Sequence, residues 1–321
     1  MTIRESNTMK TNPNPKLQLL IDQGMNAVEV AMINVVSSDV DVLKDASLHI
    51  LKAGGKRIRP RLLILAYLLC GGDDVEHAAP AGAAIELMHT ASVVHDDIND
   101  HGVVRRGLPS VNSIWGRTFA LLTGDFLFTA VYTLLAPYSD LNIDLAAAAR
   151  ALVEGETLQA SAVKNNNFTR EIYAEIIALK TAALFQAAGA MGAKLAKADD
   201  QQITALEQFT FNVGLAFQII DDVLDIIGDE RVLGKTSGID IEQGRGFASA
   251  YQSEAKSEIE EMEDVSVSIK RKLLQGNALQ EAQDQAKMII NQAISCLSIF
   301  PDSPAKDEMI EVANLVIQRD H

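Results

Sequence analysis

Apolar residues recur every three to four positions along most of the chain, the spacing of one face of an α-helix. Leu17, Leu20, Met25, Val28 and Met32 mark a first amphipathic helix. A second is predicted from about Asp41 to Lys52, where Gly54-Gly55 supplies a terminator. Pro60 opens a third, which runs to about Cys70 and stops at Gly71-Gly72. Further helices are predicted over residues 76–99, 112–135, 142–163, 169–196, 200–228, 246–273, 277–297 and 303–319. Short breaks such as Gly107-Leu108-Pro109 and Gly228-Asp229 separate them. Strand-type alternation is weak and no fixed repeat is evident. The expectation is an all-α chain, with a polar, flexible arm over residues 1–15 and one helical domain over 16–321.

Composition agrees with that pattern. Of 321 residues 48% are hydrophobic but only 5% aromatic, and alanine is dense from Leu145 to Leu152 and from Ala182 to Ala196. Such a chain can bury a large core and favours closely packed helices over sheets. A net charge of −15 argues against a nucleic-acid partner, which calls for a basic face. It leaves an anionic substrate open, because a substrate meets local charge. Cys70 and Cys296 form no CxxC pair and read as reduced thiols. Residues 1–15 lack the apolar stretch of a signal peptide, and no uncharged apolar run approaches the roughly 18 residues of a membrane span. A cytoplasmic protein without a membrane anchor is expected.

The sharpest local feature is Asp96-Asp97-Ile98-Asn99-Asp100, at the end of an apolar helix. Asp96 and Asp100 lie one helical turn apart with Asp97 beside them, so the carboxylates repel unless a cation joins them. The spacing recurs at Asp221-Asp222-Val223-Leu224-Asp225, after the apolar stretch from Val213 to Ile220. A single DDxxD is more often a solvated helix end. Two copies, each after an apolar turn, favour a pair of sites facing across a cavity. Their oxygen donors suit Mg²⁺ shared with substrate phosphates. Neither cluster has the loop pattern of an EF-hand.

Cations accompany these clusters. Gly54-Gly55-Lys56-Arg57-Ile58-Arg59-Pro60 places three at a glycine turn leading into a helix, a setting for an anion. Arg105-Arg106-Gly107 follows the first acidic cluster and can reach phosphate oxygens bidentately. Lys180-Thr181 sits within an apolar helix, where the lysine needs a partner from elsewhere. Gly234-Lys235-Thr236 follows the second cluster without Walker A spacing, since Asp229 stands where the first glycine belongs.

In this order the segments resemble the trans-type polyprenyl diphosphate synthases over about residues 45–245. The motifs are Gly54 to Pro60, His89 to Gly107, Gly124-Asp125, Lys180-Thr181, and Phe217-Gln218 with the second DDxxD and Gly234-Lys235. The resemblance implies an isoprenoid-synthase-type helical bundle around a deep central cavity, a homodimer, and extension of an allylic diphosphate by isopentenyl diphosphate. It also implies that Asp96, Asp97, Asp100, Asp221, Asp222 and Asp225 hold about three Mg²⁺ ions. Arg105, Lys180, Thr181, Gln218 and Lys235 would contact the allylic substrate. Lys56, Arg59, His89 and Arg106 would hold isopentenyl diphosphate. His89 lies two turns before Asp96 on the same face; alone, it would equally suit a core. After Asp240 the family's glycine-lysine reads Gly244-Arg245, keeping the charge, and its following proline is missing. Beyond residue 250 only helical character is shared.

Ala91 stands five residues before the first aspartate, where members of the family that stop early carry a bulky aromatic. With Ser92 it leaves room for a growing tail, giving an expected product of geranylgeranyl length or longer; Met88 or Phe128 are alternative floors. A class I terpene cyclase would not need the segment around Lys56. A regulatory subunit of a heteromeric synthase would tend to lose acidic residues, and none is missing. A catalytic subunit of a heteromer stays open.

Overall fold

The computed structural model describes residues 14–227, 245–252 and 277–318. Eleven helices lie among them: α1 (Pro15–Val35), α2 (Asp41–Lys52), α3 (Ile58–Leu69), α4 (Val75–Asn99), α5 (Val111–Leu135), α6 (Ser139–Lys164), α7 (Arg170–Leu195), α8 (Asp200–Ile227), α9 (Gly246–Gln252), α10 (Ala278–Cys296) and α11 (Pro304–Ile317). The chain is all-α, as expected. Most of the arm and part of the helix anticipated over 246–273 lie outside the described residues. The end of the arm is structured, because Asn14 caps α1 and Pro15 occupies its first turn.

Two departures from the sequence reading have local causes. The turn after α4 closes as a two-residue antiparallel ladder, Val104–Arg105 (β1) against Leu108–Pro109 (β2). Two paired residues are too few for alternation to show. Gly116 interrupts α5 with φ of 79°, a value the flanking pattern does not signal.

Two hydrophobic cores meet along α3 and α7. Leu62, Leu65 and Ala66 join Phe185 in the core beneath α8, α10 and α11. On the other side of the same helices, Leu63, Ile64, Leu184 and Met191 join the core beneath α1, α4 and α5. Burial on both sides explains why α3 is apolar all round.

The packing also distorts α7. Residues Ala178–Ala182 form a π-turn, which inserts one extra residue per turn and re-aims the side chains around it. Glycines bring neighbouring helices against this turn. A Cβ on Gly155 of α6 would lie 2.9 Å from the Lys180 amide nitrogen, and one on Gly214 of α8 would lie 2.8 Å from the Ala182 Cα.

Two helices are long and apolar enough to cross a membrane by length and composition: Val111–Leu135 and Arg170–Leu195. The second is 72% buried inside the bundle, as a core helix must be.

Candidate active site

α4 and α8 run apolar for most of their length and turn acidic at their C-terminal ends, so their carboxylates arrive at one mouth of the bundle. Asp96 and Asp100 from α4 and Asp221 and Asp222 from α8 line the same cavity, of about 610 Å³. The expectation that the two acidic helix ends face one cavity is met. Asp97 and Asp225 do not line it, and both are buried. Helical geometry accounts for Asp97, which lies about 100° around the helix from Asp96.

Each first-cluster aspartate meets a cation from a different element. Arg105, in β1, donates to Asp97 Oδ1 through Nε at 2.9 Å and Nη2 at 2.5 Å. Arg245, just before α9, grips both oxygens of Asp100 at 2.6 and 2.7 Å. Lys180 lies 3.8 Å from Asp96 Oδ2 and also pairs with Glu156 of α6. Burial, with Glu156 and Asp100 nearby and Lys180 opposing, pushes the Asp96 carboxyl up to about 7. Burial pulls the Lys180 ammonium down, but Asp96 and Glu156 outweigh it and leave its pKa raised.

On the α8 side a chain of hydrogen bonds crosses the cavity wall. Thr181 Oγ1 donates to Gln218 Oε1 at 2.8 Å, and Gln218 Nε2 donates to Asp222 Oδ1 at 2.7 Å. The Tyr173 hydroxyl donates to Asp222 Oδ2 at 2.8 Å.

The other end of the cavity is basic. Lys56, Arg57, Arg59, His89 and Arg106 line it. Arg57 is a strut, in a left-handed conformation with φ of 47°. It donates to Glu29 at 2.7 Å, Glu86 at 2.8 Å and the Leu51 carbonyl at 3.1 Å. Arg59 is different. It stacks 4.5 Å above the Phe185 ring, and its buried Nε has no hydrogen-bond partner among the described residues. Burial lowers its pKa to about 10, with Arg106 adding to the effect and Glu86 opposing it. Burial, helped by Arg59, Arg106, Arg57 and Arg105, holds the His89 imidazole well below its usual range. Arg106 is tied to the Gly54 carbonyl.

The donor set suits a hard divalent cation: carboxylate oxygens around an anionic cavity mouth. Asp97 Oδ2 is buried without a hydrogen-bond partner among the described residues, the kind of atom a cation would satisfy. Among the described residues no three acidic, histidine or cysteine side chains converge on one point as a ready-made cage. Arg105, Arg245 and Lys180 occupy the carboxylates instead, so a metal would have to share or displace them.

The structure thus brings Asp96, Asp100, Asp221, Asp222, Lys56, Arg59, His89, Arg105, Arg106, Lys180, Thr181, Gln218, Arg245 and Ser92 to one cavity. Ala91 does not line it and is fully buried in the core with α5. Lys235 lies outside the described residues. Asp125 of the Gly124-Asp125 motif faces His95, at 3.5 Å, rather than the cavity. Three residues escaped the sequence reading: Glu86, Glu156 and Tyr173. For Glu86 a signal existed, since a lone acid within the apolar run from Ala78 to Met88 needs a buried cation.

Comparison with known proteins agrees with this geometry. The family model described as polyprenyl synthetase matches residues 40–286. The geranylgeranyl diphosphate synthase of Saccharolobus solfataricus is 34% identical, covering 94% of this chain and 98% of that protein. The octaprenyl diphosphate synthase of Escherichia coli is 31% identical, covering 95% of this chain and 98% of that one. Among solved structures, a polyprenyl synthase from Caulobacter crescentus, complexed with calcium and isoprenyl diphosphate, superposes with a TM-score of 0.86. It is 31% identical and covers 95% of this chain and 98% of that chain.

Proposed function

The chain belongs to the polyprenyl synthetase family, and from that premise we propose that it condenses isopentenyl diphosphate head-to-tail with an allylic diphosphate to give an all-trans polyprenyl diphosphate. One observation carries the reading. A single cavity joins two acidic helix ends to a basic end in which Arg59 is buried with an unused Nε donor. Such a guanidinium is costly in a protein that does not bind an anion there.

Asp96, Asp97, Asp100, Asp221, Asp222 and Asp225 would hold about three Mg²⁺ ions, and a divalent cation there would supply charge stabilisation to a departing diphosphate. The Caulobacter relative, complexed with calcium and isoprenyl diphosphate, supports a divalent cation accompanying the diphosphate. Arg105, Lys180, Lys235 and Arg245 would bind the allylic diphosphate. The carboxylates that Arg105, Lys180 and Arg245 now hold would be available to a divalent cation once phosphate oxygens draw those side chains away. Lys56, Arg59, His89 and Arg106 would bind the isopentenyl diphosphate. With both diphosphates fixed, ionisation of the allylic C–O bond leaves a delocalised cation beside Thr181 and Gln218. The isopentenyl double bond attacks it, and a proton leaves, to the released diphosphate. Apolar Ile176, Ile177, Phe185, Phe217 and Leu152 in the wall keep water from the cation.

Ser92 and Val93 line the cavity one turn from Asp96. We infer a product of geranylgeranyl length or longer from the small side chain of Ser92. Residues 16–321 are read as one catalytic unit working in the cytoplasm. A homodimer is the expected assembly, supported by an exposed apolar strip on α5 that includes Phe119 and Leu122, 43% and 47% exposed.

Purified protein given the allylic diphosphate alone should form no cyclised hydrocarbon, and should elongate the primer only when isopentenyl diphosphate is added. Hydrocarbon release without isopentenyl diphosphate would instead support a cyclase.

A further inference from the structure

We propose that Tyr173 is a positioning residue for the transfer reaction, acting through Asp222, which anchors Gln218. The inference deepens the function proposed above and rests on it.

Asp222 is 8% exposed, and each of its carboxylate oxygens already accepts a hydrogen bond from a neutral donor. Oδ1 takes the Gln218 amide at 2.7 Å, and Oδ2 takes the Tyr173 hydroxyl at 2.8 Å. Each oxygen keeps a further lone pair, so the two hydrogen bonds hold the carboxylate whether or not a cation shares it.

The chain of hydrogen bonds decides which way the Gln218 amide points. A carboxylate accepts only, so the NH₂ group must face Asp222 and the carbonyl must face the other way. There Oε1 receives the Thr181 hydroxyl at 2.8 Å. Flipping the amide would set its carbonyl against the carboxylate, two acceptors in contact. Both Thr181 and Gln218 line the cavity, so the fixed orientation presents oxygen, the negative end of the dipole, toward the space where positive charge develops. Preset dipoles of this kind act without reorganising during the reaction.

Tyr173 is itself held. It is 7% exposed, sits on α7 ahead of the π-turn, and meets the Phe247 ring edge-on at 6.2 Å. Phe247 follows Arg245 by two residues in the chain. The segment that brings Arg245 to Asp100 therefore also buttresses the far end of the Gln218 relay.

The test is steady-state kinetics of wild type, Tyr173→Phe, Asp222→Asn and the double variant over a Mg²⁺ titration, with thermal unfolding run beside it. Tyr173→Phe keeps the ring, so the melting temperature should stay close to wild type. Its kcat should fall about tenfold, the scale of one lost hydrogen bond to a charged group, with both KM values within about twofold. Asp222→Asn should lower kcat by about a hundredfold or more, and Tyr173→Phe should leave the half-saturating Mg²⁺ within about twofold of wild type. Adding Tyr173→Phe to Asp222→Asn should cause no further loss, because the hydroxyl acts through that carboxylate. If Asp222→Asn does not fold, Gln218→Ala takes its place, and Tyr173→Phe should again be silent in that background. Wild-type kcat in Tyr173→Phe, additive losses in either double variant, or a tenfold rise in half-saturating Mg²⁺ for Tyr173→Phe would overturn the inference. An inactive wild type overturns the proposed reaction and this inference together; an active wild type matched by Tyr173→Phe overturns the inference alone.

Discussion

Arg245 closes on Asp100 across 145 positions of sequence, its two terminal nitrogens donating to both carboxylate oxygens at 2.6 and 2.7 Å. The pair joins the start of α9 to the end of α4. It is also where the family's lysine has become an arginine, and the fork geometry explains the fit: a lysine could not hold both oxygens in one plane. If the guanidinium passes from Asp100 to the allylic diphosphate, Arg245→Ala should lower kcat/KM for that substrate by roughly tenfold to a hundredfold, the worth of charge-assisted hydrogen bonds. Arg245→Lys should recover part of the loss. Steady-state kinetics with the allylic diphosphate varied measures both.

Arg59 separates binding from stability. Its buried guanidinium has an Nε without a partner among the described residues, so replacing it with an apolar side chain of similar length removes an unfavourable burial. Arg59→Met should melt no lower than wild type, while kcat/KM for isopentenyl diphosphate falls by roughly thirtyfold or more. A variant that both unfolds early and retains activity would assign Arg59 to the core.

His89 predicts a pH effect on the ligand-free protein. Burial and four neighbouring arginines hold its folded-state pKa well below 6.5. Folded protein therefore keeps the ring neutral where the unfolded chain binds a proton. The stability this gives is present above the unfolded pKa and is lost as pH falls below about 6.5, at up to about 1.4 kcal/mol per pH unit. Urea denaturation of wild type and His89→Gln between pH 7 and pH 5 should show the steeper decline in wild type. Parallel curves would place the ring outside the basic end of the cavity.

Sequence made the acidic and basic groups visible because each breaks an apolar helical pattern. Asp96 and Asp221 end apolar runs, Arg59 starts one, and Lys180 interrupts one, so their chemistry could be read locally. The partners could not. Glu156 reaches Lys180 from another helix, 24 positions earlier, only because Gly155 lets α6 touch the π-turn. The π-turn leaves no mark in the pattern of Ala178 to Ala182. Tyr173 reads as one more aromatic on an amphipathic helix until Asp222 is found beside it. Helix faces were legible for the same local reason, except at Ala91. That residue shares the apolar surface of α4 with Ser92, but only the fold decides that Ala91 packs into the core while Ser92 meets the cavity.

That distinction sets the expectation for chain length. Ser92→Tyr should shorten the product, because the ring enters the cavity. Ala91→Tyr should mainly destabilise, since overpacking a fully buried site costs about 1–3 kcal/mol or more. Sizing the dephosphorylated products of each variant, with its melting temperature, distinguishes the two. Shortening by Ala91→Tyr at unchanged stability would move the tunnel to the other face of α4.

The most direct test of the central claim is incorporation of radiolabelled isopentenyl diphosphate by the purified chain. Dimethylallyl, geranyl, farnesyl and geranylgeranyl diphosphate would each be offered as primer, with Mg²⁺ or with a chelator. Label passing into polyprenyl diphosphates of geranylgeranyl length or longer, in the Mg²⁺ samples alone, is the predicted result. No incorporation with any primer, by folded protein in saturating Mg²⁺, would contradict the account.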